Sequence, residues 1–467
     1  MKRITKSYGN ADLFFYFFYF LCVVASAQFG PQQLITDEAI GVELVIAVDI
    51  DGDGDMDIAS ASRGSDTIAW QENLDGLGTF GPQQMITTSL DQTVYVAAAD
   101  IDGDGDMDVL GISGFGNLIV WFENMDGLGN FSSQRIIDAS TILPSEIITA
   151  DLDDDGDKDV VISSRGENAI IWFENTNGLG DFGPKQTITN GAMSGLSVYA
   201  ADLDGDMDID LVATSSGNKR LYWYENLDGL GTFGPDQLIV ETLDYGGFVS
   251  VFAIDIDGDD DNDVLAAEFG GDTLSWFENT DGLATFGPQQ IITSTLITPF
   301  MVFSIDLDND GDVDVLSASG TDDKVVWFEN IDGVGTFSTE KVISTLTDNP
   351  RSVYAADIDN DGDNDVLSAS IADNKIAWYE NLNLINVSEN PSIGIAVYPN
   401  PVTDILNITS PLVIYSIEIY TIIGQLIERN SYHQKSVALD YSKYTSGIYI
   451  MKLVSEENSQ LVKIVKK

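Results

Sequence analysis

Four short apolar runs recur in a fixed order along residues 28–382. In the second unit the first run is Val94-Tyr95-Val96-Ala97-Ala98, and Val109-Leu110-Gly111-Ile112 follows an Asp-rich stretch. Leu118-Ile119-Val120-Trp121-Phe122 comes next, and Gln134-Arg135-Ile136-Ile137 closes the unit after a Gly-rich turn. Runs of this length, rich in β-branched and aromatic residues and bounded by Gly, Asn and Asp, predict strands. The seven Trp keep the register: Trp70, Trp121, Trp172, Trp223, Trp276, Trp327 and Trp378 are 51, 51, 51, 53, 51 and 51 residues apart. A fixed period near 50 residues signals a solenoid, propeller or array. Four strands per unit and seven units predict a seven-bladed β-propeller. Each Trp opens a Trp-aromatic-Glu-Asn tetrad, with Gln71 at the aromatic place in the first. A residue present in all seven units is expected to fill the space between blades. The small residues of the first run suit the crowded position beside a central channel.

The phase of the repeat predicts closure. The chain enters on Phe29-Gly30-Pro31-Gln32-Gln33-Leu34-Ile35, a fourth strand, and leaves after Trp378-Tyr379-Glu380-Asn381, a third. The first strand is therefore expected to complete the last blade, which leaves no exposed seam.

The two ends have different character. Lys2, Arg3 and Lys6 precede the apolar run Leu13 to Val24, and Ala25-Ser26-Ala27 follows it. Residues 1–27 read as a signal peptide, with Gln28 as the first mature residue. No later stretch is long and apolar enough to span a membrane as a helix. Residues 383–392 read as a linker and 393–467 as a small antiparallel β-sandwich, with alternating runs such as Ile417-Glu418-Ile419-Tyr420. Tyr398-Pro399-Asn400-Pro401, Gly424, Ser446-Gly447-Ile448-Tyr449 and the basic tail Lys463 to Lys467 make this segment resemble the type A sorting domain of type IX secretion in Bacteroidota. The resemblance implies recognition by that machinery and export across an outer membrane.

Charge narrows the function classes. The chain carries 76 acids against 21 bases, a net −55, with one Cys and one His. Residues 28–382 hold 68 acids and 11 bases. Such a surface repels phosphates, so no nucleic acid partner is expected. A hydrophobic content of 44 % argues against the disorder that high charge otherwise suggests. The single Cys excludes a disulfide framework. His433 lies in the C-terminal segment, so the propeller has no His or Cys for triad, thiol or His-ligated zinc chemistry. No catalytic constellation is expected, because paired carboxylates repeat sevenfold instead of occupying two distinct environments.

Much of the acid of residues 28–382 sits in seven loops between first and second strands. The first is Asp49-Ile50-Asp51-Gly52-Asp53-Gly54-Asp55-Met56-Asp57. Carboxylates at positions one, three, five and nine can converge on one cation, with Gly at position six for the turn. Position seven can offer its carbonyl. Oxygen-only donors in this number predict Ca²⁺ over Mg²⁺ or Zn²⁺. An EF-hand is excluded because Ser60 stands where its Glu is required and strands flank the loop.

This pattern, set in propeller blades, resembles the FG-GAP or VCBS-type repeat of integrin α heads over residues 28–382. The resemblance implies up to seven Ca²⁺, with carboxylate ligands Asp49, Asp51, Asp53 and Asp57; Asp100, Asp102, Asp104 and Asp108; Asp151, Asp153, Asp155 and Asp159. The remaining sets are Asp202, Asp204, Asp206 and Asp210; Asp255, Asp257, Asp259 and Asp263; Asp306, Asp308, Asp310 and Asp314; Asp357, Asp359, Asp361 and Asp365. Carbonyl ligands would come from Asp55, Asp106, Asp157, Asp208, Asp261, Asp312 and Asp363. Met207 and Asp260 replace the position-six Gly, so the fourth site is expected to be weakest.

Specificity is expected where the repeats differ. The connections between blades and the second-to-third strand turns (Arg63, Phe115, Arg165, Lys219-Arg220, Lys324, Lys375) vary most and should share the rim opposite the Asp loops. Tyr245, Phe248 and Phe300 are the candidate anchors for a protein or glycan ligand. The expected function is a secreted or surface-held calcium-binding adhesion module. A Ca²⁺-dependent polysaccharide lyase or hydrolase, or a purely structural surface component, are the alternatives.

Overall fold

The structure, a computed structural model, describes residues 28–242, 246–382, 396–421, 426–445, 447–455 and 459–467. The expected signal peptide, the linker, Tyr245, Gly424 and Ser446 lie outside them. Among the described residues, the chain up to Tyr379 forms seven four-stranded antiparallel sheets. In the first, Val42–Val48, Asp57–Ser62, Thr67–Gln71 and Gln84–Thr87 are neighbours in that order. The seventh joins Pro350–Ala356, Asp365–Ser370 and Lys375–Tyr379 to Gln33–Thr36, so the N-terminal strand completes the last blade. Phe29 pairs with Asn381 as Phe80 pairs with Asn73 inside the first blade.

Packing closes the ring. Seven apolar clusters each join two neighbouring blades. The cluster of Ala39, Val42, Val45, Ile358, Leu367 and Trp378 joins the last blade to the first. Second strands such as Asp57–Ser62 are buried at every residue, because neighbouring blades cover both faces. This explains their unbroken apolar and small-residue character. The seven Trp are 1–5 % exposed and do fill the spaces between blades. Each side chain needs room from the next blade: a Cβ at Gly129 would lie 2.2 Å from Trp70 Cζ2. Ala284 takes that turn position opposite Trp223, and Phe29 meets Trp327 edge-on at 6.2 Å, between the sixth blade and the last, which the Phe29 strand completes.

Small residues do not line the whole channel. Tyr199, Phe252, Phe303 and Tyr354, on successive first strands, stack at centroid distances of 4.5, 5.4 and 4.9 Å. Bulky rings thus occupy one side of the channel beside the small residues that the first runs also carry.

Hydrogen bonds at both ends of the blades carry the ring's continuity. The tetrad Asn side chains donate from Nδ2 to the carbonyl of loop position two in the preceding blade. Asn124 reaches Ile50 at 2.8 Å, and Asn73 reaches Ile358 across the seam at 2.8 Å. At the other end, Asp66, Asn117, Asn168, Asp272, Asp323 and Asn374 accept from a backbone N–H of the next blade's connection, at 2.8–3.0 Å. These six have φ near 55°, which Asn and Asp tolerate. Lys219 stands at the seventh place, in the unit with the two-residue insertion.

The C-terminal segment is a separate antiparallel sheet domain, its strands joined by hydrogen bonds through one long strand. The long strand Ile405–Thr421 runs through it and pairs with Ala396–Tyr398, Leu426–Asp440 and Gly447–Ser455. Ser459–Lys466 adds the last strand, and a bridge from Lys466 to Val402 curls the sheet on itself. Leu406, Ile408, Ile417, Ile419, Val437 and Met451 share its core. No helix among the described residues is long and apolar enough to cross a membrane.

Asn124 is fully buried, so Asn124→Ala removes bonds from buried partners. We expect it to lower the unfolding free energy by about 3 kcal/mol. The exposed Asn130→Ala control should change it by under about 0.5 kcal/mol. Equal urea midpoints for the two variants would contradict the role given to the tetrad Asn.

Candidate metal centres and the channel mouth

The Asp loops are held in one geometry by their own backbone. The position-one carboxylate (Asp49 and its equivalents) accepts from the position-six N–H at 2.9–3.1 Å in all seven loops. The position-five carboxylate accepts from the position-seven N–H at 2.9–3.3 Å. Position-seven carboxylates such as Asp55 lie against the Gly-rich turn of their own blade, where a Cβ at Gly76 would meet Asp55 Oδ1 at 2.4 Å.

Of the four carboxylates expected at each site, three converge in the loops that follow. Asp49, Asp51 and Asp53 each place an oxygen within 4.8 Å of the others, and so do Asp151, Asp153 and Asp155; Asp202, Asp204 and Asp206; and Asp255, Asp257 and Asp259. In the second loop Asp108 joins Asp100 and Asp102, which brings position nine to the cluster. In every loop position nine also has a second task. Both Asp57 oxygens are already bonded, Oδ2 to the Ile50 N–H at 3.0 Å and Oδ1 to the Asn73 N–H at 2.8 Å. That second task, and the tetrad Asn that shares it, were not read from the sequence. Their sevenfold recurrence was the available signal.

The donor set fits a hard cation. In six loops the position-three Oδ1 is buried and has no hydrogen-bond partner: Asp51, Asp102, Asp153, Asp204, Asp257 and Asp359. A buried carboxylate oxygen without a donor is costly, and a cation is what would satisfy it. Burial, and after it the neighbouring Asp155, push the Asp153 carboxyl up to about 6. Burial pushes Asp57 up to about 7 against the two backbone donors that lower it, and Asp365 up to about 8. Every polar side chain in the set is an oxygen donor, as Ca²⁺ requires.

Position six is left-handed in every loop, with φ between 71° and 99°. Met207 adopts 78° and Asp260 71°, so both keep the turn at a conformational cost. A Cβ at Gly54 would meet nothing within 4 Å, so the cost is in the backbone and not in crowding.

The variable connections do share one end of the channel. A cavity of about 500 Å³ is lined by residues from all seven blades, including the turn residues Arg63, Phe115, Arg165 and Phe269 and the connection residues Gln92, Leu143 and Gly246. Phe300 is partly buried, lines this cavity, and lies under the Arg351 guanidinium at 3.7 Å. Phe248 is not an anchor: it is fully buried and packs on Phe277 at 6.4 Å, because it begins a first strand and points between blades. Tyr245 lies outside the described residues. Glu146, also unforeseen, lines the cavity and is almost fully buried. Its Oε1 accepts from Tyr95 Oη at 2.6 Å and its Oε2 from the Val198 N–H at 2.7 Å. Burial pushes its carboxyl up to about 7 despite those donors.

Comparison with known proteins agrees with this construction. The family model described as FG-GAP-like repeat matches residues 49–111, 151–213, 202–266, 255–317 and 306–368, over half of the chain. The model described as secretion system C-terminal sorting domain matches residues 396–467. No curated protein matches the chain. Among solved structures, an Agrocybe aegerita lectin described as recognising non-reducing terminal N-acetylglucosamine is 21 % identical, with a TM-score of 0.51. The alignment covers 73 % of this chain and 85 % of the lectin. BBS1N, solved in complex with ARL6DN, is 8 % identical with a TM-score of 0.54, over 76 % of this chain and 97 % of that one. At these identities the likeness is one of fold.

Met207→Gly should raise the unfolding free energy by about 1 kcal/mol by removing the left-handed Met. A urea midpoint that stays put or falls would contradict the strain assigned to it. Glu146 gives a pH dependence of known sign. Its folded pKa is raised, so the stability it contributes is complete below about pH 4.5 and is lost as pH rises through about 7. With Ca²⁺ saturating, the urea midpoint should fall between pH 5.5 and 8, and Glu146→Gln should flatten that slope. Parallel profiles would contradict the assignment.

Proposed function

We propose that this chain, which belongs to the FG-GAP-like repeat family and ends in a secretion-system sorting domain, is a non-catalytic binding module whose ring is stabilised by Ca²⁺. The sorting domain marks it for export by the type IX system to the cell surface or the medium. Recognition by that machinery belongs to the C-terminal sheet, and ligand binding to the propeller rim.

One observation carries the calcium reading: the buried, unpartnered position-three oxygens repeated in six loops. Asp49, Asp51, Asp53 and Asp57 and their equivalents would hold the ion, with the Asp55-type carbonyl completing the set. Bound Ca²⁺ would supply the positive charge that offsets repulsion among these carboxylates. Each loop joins the first and second strands of a blade, and position nine leads through the tetrad Asn to the preceding blade. A cation there would stabilise the ring itself, a structural role.

The binding reading takes support from the channel mouth, where residues differ from blade to blade. A glycan is a reasonable ligand class for an exported propeller, and the lectin of like fold is described as a sugar-recognising protein. Its own specificity is not carried over.

Each site filled at ten times its dissociation constant adds about 1.4 kcal/mol to stability. Sites in extracellular modules bind at about 10⁻⁴ to 10⁻³ M. Chelation should therefore lower the melting midpoint sharply, and Ca²⁺ but not equal Mg²⁺ should restore it. A midpoint indifferent to chelator would contradict the calcium reading. Binding of the purified protein to an array of glycans and surface proteins tests the rim; no binder in either class would contradict that reading.

A further inference from the structure

We propose that the channel mouth is a site for a carboxylate-bearing saccharide, gripped by Arg165 and Arg351 and faced by the aromatic ring of Phe115. The inference rests on the reading of this rim as the binding face and names the ligand class for it.

Charge is distributed against the trend of the molecule. The propeller has 68 acids and 11 bases, yet the cavity is lined by three Arg (Arg63, Arg165, Arg351) and two Glu (Glu43, Glu146). Both Glu are accounted for inside the protein. Glu43 pairs with Arg63 at 3.3 Å, and Arg63 Nε also donates to Gln92 at 2.9 Å. Glu146 is bonded to Tyr95 and Val198. Two cations remain. Arg165 is exposed and makes no ion pair among the described residues. Arg351 is half-buried on Phe300, and its Nε is buried without a hydrogen-bond partner. Burial, and more weakly the Arg63 charge, lower its pKa while Glu43 raises it. A desolvated guanidinium with an unused donor, lining the same cavity as a second cation without an ion pair, is a poor structural choice and a good anion receptor.

The fold explains why this site is singular. First strands begin with a register shift, so one extra residue is turned out of the ladder. That residue is Glu43, Val94, Ser145, Val249, Phe300 or Arg351, according to the blade, and all six line the cavity. Bulges re-aim side chains in this way next to functional sites. The repeated part of the blade builds the wall, and the bulges of six blades supply five kinds of side chain: Glu, Val, Ser, Phe and Arg.

Ligand chemistry follows from these groups. Guanidinium forks match a carboxylate in bidentate fashion. Phe115 is 52 % exposed and offers a flat apolar face of the kind a sugar ring covers. The volume of about 500 Å³ lies within the range of small-ligand sites. The strongly negative ring repels anions at long range, so the site selects for short-range bidentate contact and not for charge alone.

The full chain, saturated with Ca²⁺, is titrated calorimetrically with digalacturonate, its methyl-esterified form, a sulfated disaccharide and a short acidic peptide. Digalacturonate should bind, and esterification should weaken it about tenfold or more. Arg351→Gln and Arg165→Gln should each cost about tenfold, and Arg220→Gln, outside the cavity, nothing. Arg165 is exposed, so its variant remains informative if Arg351→Gln lowers the melting midpoint. Equal binding of the ester would overturn the inference and leave the rim reading intact. Preferential binding of the sulfated sugar or the peptide would overturn the saccharide carboxylate assignment. Failure of all four probes would overturn the inference, and the array measurement then decides the rim reading separately.

Discussion

A buried carboxylate at position nine of each Asp loop is the constraint on which the ring depends. Asp57 and its six equivalents are 0–1 % exposed, and each accepts two backbone N–H bonds. One donor, from loop position two, fixes the loop at 3.0–3.1 Å; the other, from the tetrad Asn, fixes the end of the third strand at 2.6–2.9 Å. The same Asn then reaches the carbonyl of the preceding blade's position two at 2.7–2.9 Å. One acid therefore connects a metal-type loop, two strands of its own blade and the neighbouring blade. Burying such a charge is unfavourable without compensation, and two neutral donors are partial compensation. Burial still holds Asp314 up at about 8. The proposed cation completes what these donors begin.

The Trp spacers and the seam follow from the same geometry. With each loop tied to the preceding blade, the gap between sheets is set, and a buried Trp against a Gly-rich turn fills it. The seam reproduces every element of this joint. Phe29 stands where Phe80 stands elsewhere, Asn73 reaches Ile358, and Trp378 meets Gly78. Opposite the loops, the turn Asp and Asn side chains tie only the backbone of the next connection, so the side chains turned out by the first-strand bulges are free to differ.

The sevenfold parts of the fold were legible because repetition exposes them. Trp spacing gave the blade count, the phase of the Phe29 strand gave closure, and the Asp pattern gave the loop carboxylates that converge. The unrepeated parts were not legible in the same way. Phe248 looked like an exposed anchor beside a Gly pair, but its place at the start of a first strand puts it between blades. Arg351 and Glu146 gave no local signal, since their importance comes from bulges and neighbours 50 or more residues away. The tetrad Asn was visible as a repeat, but its partner lies about 74 residues back, in another blade, which only the closed ring brings near.

Site-resolved hydrogen exchange, with and without chelator, tests the account most directly. The reporters are the amides that position nine accepts, at Ile50 and Asn73 and at their equivalents. If cation binding at the loops holds the joint between blades, removing Ca²⁺ must cost protection at both sets of amides and in the buried second strands. Loss confined to the exposed loop residues, or no loss at all, would contradict the claim that the loops carry the ring.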